Sequence, residues 1–217
     1  MAVLAMFPLG SVLLPSAVLP LHVFEDRYRQ MVRDCVDAED HEFGVVLIER
    51  GSEVGGDDVR RDVAVVAQML QVAELDDGRF AVISVGTRRV RINAWLPDDP
   101  YPMADIDDWI DQDESVDPAL LAAVTATVRR CSALANELGD PVVVADDEIN
   151  ADPLVASYQL AALAPIGAAD QYALLCEPGP LSRLLRLANM MQDVEALLHF
   201  RLADSDGLTG DAKDALG

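Results

Sequence analysis

Apolar positions along this chain follow two rhythms. Up to about residue 109 they fall in short runs and alternations, interrupted once by helical spacing; from residue 117 they recur every three or four positions. Val3–Phe7 and Val18–Val23 are apolar runs, with Gly10-Ser11 and Pro15-Ser16 between them supplying turn chemistry, and they predict two short buried strands joined by a turn. Phe24, Tyr28, Met31, Val32 and Cys35 then recur at helical spacing, with Glu25, Asp26, Arg27, Arg29 and Arg33 between them. That pattern predicts an amphipathic helix over Asp26–Val36 whose arginines lie on the wet face. Phe43–Glu49 reads as a buried strand, and Arg50 to Arg61 as a charged, glycine-containing loop.

The clearest local signal is a hairpin. Ala64–Leu75 and Arg79–Ile92 are both β-rich, and Asp76-Asp77-Gly78 between them offers the positive φ of a tight turn. In the second arm Val90 and Ile92 alternate with Arg89 and Arg91, which predicts one face inward and one outward, and Gly86 marks a bulge or bend. Arg88, Arg89 and Arg91 together make a small basic patch, read as a solvated strand face that pairs with the chain's many carboxylates. Tyr101–Trp109 adds a further strand. The first part of the chain is thus all-β with one helix, closed or nearly closed as a barrel.

Between Asp98 and Asp117 stand nine acidic residues and no basic one, and a domain boundary is placed near residue 113. Asp117-Pro118 opens a helix carrying Leu121, Val124, Val128, Cys131, Leu134 and Leu138, and Gly139 ends it. Asp152-Pro153 repeats the opening for a helix to about Ala164. Ala168–Cys176 follows, and a long leucine-rich helix starts at Gly179-Pro180. Short-looped amphipathic helices over 114–203 imply a bundle, and 204–217 reads as a flexible acidic tail.

Charge removes several function classes. The 217 residues include 38 acidic and 16 basic ones, for a formal charge of −22. Nucleic-acid binding draws its affinity from neutralised phosphates, so RNA or DNA is not an expected partner, and anionic membranes are disfavoured in the same way. Residues 1–23 lack a basic segment and are interrupted by Pro8, Pro15 and Pro20, which fits neither a signal peptide nor a spanning helix. Cys35, Cys131 and Cys176 are odd in number and form no close pair; they read as buried apolar residues of a protein in a reducing cytoplasm.

Lysine usage removes more. Lys213 is the only lysine. A phosphate-binding loop, a Ser–Lys dyad and a pyridoxal Schiff base each need one in the folded body, so none of these chemistries is expected. No serine sits in a nucleophile elbow, no paired Cys/His cluster suggests zinc, and the acidic run at 105–117 lacks the order of a calcium loop. The expectation is no cofactor, no metal and no catalysis. A small hydrolase built on His22, His41 or His199 is the alternative, and an RNA binder a more distant one.

The opening residues carry a family resemblance. Phe7-Pro8-Leu9-Gly10-Ser11-Val12-Leu13-Leu14-Pro15, followed by Leu19-Pro20-Leu21-His22-Val23-Phe24-Glu25-Asp26-Arg27-Tyr28-Arg29, resembles the start of the Lon protease amino-terminal domain. Phe43-Gly44-Val45-Val46 resembles its third strand, and Val85-Gly86-Thr87-Arg88-Arg89-Val90-Arg91-Ile92 the close of its hairpin. The resemblance implies an α+β fold, a PUA-like β pseudo-barrel over 1–113 and then an α-helical bundle. It also implies a substrate-recognition role, here expected without the ATPase and peptidase, since the chain ends at 217. Partners so implied are unfolded or basic client proteins or peptides, and a protease. Candidate contacts are apolar residues in loops at the barrel rim: Leu13, Leu14, Trp95 and Tyr101, with the aromatic pair suited to anchor a peptide.

Overall fold

A computed structural model describes residues 2–50, 59–140 and 148–214, with side chains described as far as Asp204. It divides into two units, Met1–Asp111 and Gln112–Gly217. The first contains β1 (Ala2–Leu9), β2 (Val18–Val23), α1 (Asp26–Asp37), β3 (Glu42–Arg50), β4 (Val59–Glu74), β5 (Phe80–Leu96) and β6 (Met103–Asp108). The sheet order is β2-β5-β4-β3-β1-β6, and a further β5–β6 pairing closes the last five strands into a ring. The expected Arg50–Arg61 loop falls mostly on residues outside the described set, and Val59 already belongs to β4.

Closure works because β5 is long. Its second half pairs with β4 on one side and β6 on the other. The interior is then filled by one row from each strand: Leu4, Met6, Val46, Ala64, Val66, Val90, Ala104 and Ile106, with Ile92 and Trp95 against them. On the outer side α1 lays Tyr28, Met31, Val32 and Cys35 over the sheet, where the Phe7 ring lies 4.4 Å from that of Tyr28 and 6.3 Å from that of Phe43. Gly86 is needed where it stands, because a Cβ there would run into the Leu14 carbonyl.

The turn between the first two strands does not pair them: β1 pairs with β3 in parallel and with β6 antiparallel, whereas β2 pairs with β5. One expectation is corrected: β2 is not buried throughout, since alternate residues of it are exposed. Its local apolar run is satisfied on one face only.

The second unit holds α2 (Pro118–Glu137), α3 (Pro153–Leu163), α4 (Ala168–Leu175) and α5 (Pro180–Asp214). Proline at the first position suits α2 and α3 because no intrahelical donor is lost there. The Asp117 and Asp152 carboxylates accept from the backbone N–H of Ala119 and Leu154 at 2.8 and 2.9 Å. The amino terminus of α5 is capped from a distance, by Glu114 Oε2, which accepts from the Leu181 and Ser182 N–H groups at 2.8 and 3.1 Å. Val124, Val128, Cys131, Leu160, Leu174, Leu184, Leu187 and Met191 are all buried in this unit. Within the same unit Arg183 is fully buried. Its guanidinium donates to the Leu174 carbonyl, the Ser157 hydroxyl and the Tyr158 hydroxyl, and lies 3.6 Å from the Tyr158 ring centre. Helix α5 runs on to Asp214; the expectation of a flexible tail over 204–217 falls largely on residues outside the described side chains.

Candidate polypeptide-binding surface

β5 passes beyond the barrel, and the surface of interest begins there. Strand register carries the interior-facing row of β5 from Val90 to Arg88, across an extra residue at Thr87, and on to Val85, Ile83 and Ala81. The barrel interior ends at Arg88. Its guanidinium donates to both Glu42 oxygens at 2.6 and 2.8 Å and to Asp108 Oδ1 at 3.0 Å. Those bonds hold the Arg88 pKa above the ordinary arginine range, the Glu42 bond contributing most.

Past this ionic plug the row leaves the barrel core. Val85 pairs with Val18 and Gln68, Ile83 with Pro20 and Gln71, and Ala81 with His22 and Ala73, so these nine side chains share one face of a three-stranded flap. None is formally charged. Val18 is 64% exposed, Ile83 39%, and Leu70, the extra residue of a β-bulge beside Gln71, 58%. Dispersed apolar residues on a surface are ordinary; an uncharged patch built from three adjacent strands is not.

The opposite face of the flap is treated differently. Phe80 and Val82 are buried, while Val72 and Glu74, their partners on β4, stand at the edge of α1. A groove of about 420 Å³ opens there, lined by Arg33, Val36 and Asp37 of α1 and by Val72, Glu74 and Phe80 of the sheet. Arg33 lies 5.3 Å from the Phe80 ring centre and 3.4 Å from Glu74.

The rim residues expected to contact a peptide do not form this surface. Leu13, Leu14 and Tyr101 are buried, because the turns that carry them fold back onto the sheet. The Tyr101 hydroxyl donates to Asp34 at 2.7 Å, and burial, with that bond, raises its pKa. Trp95 is half-buried against the barrel core, and the Arg60 guanidinium covers it at 4.5 Å. Arg89 is a second correction: expected on a solvated face, it is 2% exposed. The segment after β6 folds over it, so that its Nε donates to the Trp109 carbonyl at 3.1 Å and its Nη2 lies 3.0 Å from Asp111. Arg89 and Arg91 both stack on the Trp109 ring, at 4.2 and 4.0 Å. The expected pairing of the arginine patch with carboxylates is present, at Glu42, Asp108 and Asp111.

The histidines fall on separate elements. His22 is on the open face, His41 Nδ1 meets the Cys35 carbonyl at 3.0 Å, and His199 is exposed on α5. The Cys35 thiol is pushed up to about 12, mainly by burial and then by Asp34 and Asp40, and stays protonated at neutral pH. Among the described residues no group of three or more His, Cys, Asp or Glu is placed to hold a metal ion, and no helix is long and apolar enough to cross a membrane.

Comparison with known proteins gives a consistent result. The family described as the ATP-dependent protease La (LON) substrate-binding domain matches residues 3–193. Lon protease 3 of Sorangium cellulosum is 30% identical over 132 residues, which is 60% of this chain and 16% of that protein. Lon protease of Flavobacterium johnsoniae is 29% identical over 99 residues, 45% of this chain and 12% of that protein. The chain therefore spans a small part of these relatives. Among solved structures, the Lon N-terminal domain protein of Xanthomonas campestris has a TM-score of 0.66 and 27% identity, covering 87% of this chain and 98% of the other. The N-terminal domain of Mycobacterium avium complex Lon protease has the same fold at a TM-score of 0.61 and 18% identity, covering 88% and 99%.

Proposed function

This chain belongs to the LON substrate-binding domain family, and we propose that it is a non-catalytic module that recognises protein clients through the open face of the β2–β5–β4 flap. The observation that carries the reading is the uncharged patch of Val18, Pro20, Ile83 and Leu70 beyond the Arg88 plug. An apolar surface of this kind gains free energy by leaving water against any apolar segment, at about 25 cal/mol per Å² buried. It asks little of client sequence, which suits a receptor for unfolded chains. The formal charge of −22 steers basic clients toward it and repels nucleic acid. The proposed setting is the cytoplasm, with a protease that consumes what this module holds.

The test is binding to a reduced, alkylated and permanently unfolded basic model protein. Binding is expected at low ionic strength and weakens as salt is added, because the steering charges are screened. V18D and I83D each lower the affinity by about tenfold or more while leaving the thermal transition in place. Absence of binding at low salt, or wild-type binding by both variants, overturns the reading.

A further inference from the structure

The groove on the other face of the flap is occupied by this protein's own cation. Arg33 reaches over the Phe80 ring at 5.3 Å and touches Glu74 at 3.4 Å, although both charged side chains are about half exposed, at 47% and 57%. Neither interaction needs Arg33 in particular. An exposed ion pair and an exposed cation–ring contact are each weak, and an arriving cation makes the same two contacts. The floor around them is apolar and open to solvent: Val36 is 43% exposed and Val72 36%. Arg33, Val36 and Asp37 lie at helical spacing on one side of α1, so they confront Val72, Glu74 and Phe80 as a set.

Charge selects the occupant. The last turn of α1 contains no basic residue, and its carbonyl end carries the negative pole of the helix. Asp37 and Glu74 flank the groove, with one internal cation between them. At about 420 Å³ the groove has the size of a small ligand site. An acidic or purely apolar segment would leave this rim unmatched; a segment with an arginine or lysine beside a large apolar side chain matches both rim and floor.

We infer that the α1–β4–β5 groove is a binding site for polypeptide segments in which a basic residue adjoins an apolar one, and that Arg33 is the internal ligand such a segment displaces. The polypeptide nature of the ligand rests on the client-recognition reading above; the site itself is on the opposite face of the flap. Displacement makes Arg33 a brake on affinity, so removing it helps the ligand. That sign is the reverse of what loss of a binding residue produces.

Fluorescence anisotropy with a labelled ten-residue peptide of alternating leucine and arginine tests this, against the same peptide with glutamate in place of arginine. The leucine–arginine peptide is expected to bind and the leucine–glutamate peptide not to. R33A is expected to tighten binding about 3- to 10-fold, and the double variant D37N/E74Q to weaken it by at least about 5-fold. Equal binding of the two peptides, or an R33A affinity at or below wild type, overturns the inference. I83D separates the two faces: it lowers capture of the unfolded client and leaves in place the tightening of the peptide that R33A produces. If I83D leaves client capture intact, the open-face reading falls while the Arg33 result still decides the groove.

Discussion

The two halves of β5 use the same kind of side-chain row in opposite ways. From Arg88 to Leu96 the strand passes from β4, paired as far as Arg91, to β6, paired from Val90, its inward row lies in the barrel core, and Arg88 and Arg89 are tied to Glu42, Asp108, Asp111 and the Trp109 carbonyl. From Phe80 to Val85 the strand has two neighbours, β2 and β4, yet the continuation of the inward row is half-buried at Ala81 and Val85 and exposed at Ile83, and its direct partners on both sides are uncharged. Both halves carry ladder pairing; only the half from Arg88 to Leu96 is covered. The difference separates what makes the fold from what makes the surface. Ladder hydrogen bonds hold the flap out, and the barrel's own packing stops at the plug.

Substitutions along this strand sharpen the contrast. The largest effect is expected at Arg89: R89A leaves Asp111 and the Trp109 carbonyl without their donor in a nearly dry site, and costs about 3 kcal/mol, read as a loss of chemical-denaturation stability. R88A is smaller, about 1 kcal/mol in the same assay, because the Arg88 side chain is 42% exposed and water can replace much of what it does. I83D, five residues earlier on the same row, is expected within about 0.5 kcal/mol of wild type and nonetheless to carry the large loss in client binding. A stability loss at Ile83 as great as that at Arg89 would erase the distinction between the halves.

The helices and their caps were legible in the chain, because the signals are local: Asp-Pro at 117–118 and 152–153 forms the expected N-caps, and the Asp-Gly at 77–78 turns the β4–β5 hairpin with Gly78 at φ 76°. Strand partnership was not legible. Val3–Phe7 and Val18–Val23 look alike as apolar runs, and nothing in either announces that β1 seeks β3 while β2 seeks β5. Burial of Arg89 was hidden for a related reason, since its cover comes from Trp109–Asp111, well along the chain. Leu13, Leu14 and Tyr101 were expected at a rim because turn residues surround them, and the turns fold inward instead. The candidate surface did leave one trace. Pro20 sits inside an apolar strand, and proline in a strand points to an edge. Val18-Leu19-Pro20-Leu21 is apolar on both faces, which period-two reasoning takes for burial.

That proline has a colloidal consequence. A flap with one uncharged face, ending in a strand with a single neighbour, is the geometry from which stacked, fibre-like assemblies grow, each copy supplying the next with a template. β2 is such a strand, but a prolyl ring at its centre donates no hydrogen bond and makes it a poor template for repetition. Mutual repulsion between copies carrying −22 adds to the barrier. The proposed client surface is thereby kept from templating the addition of further copies at its edge.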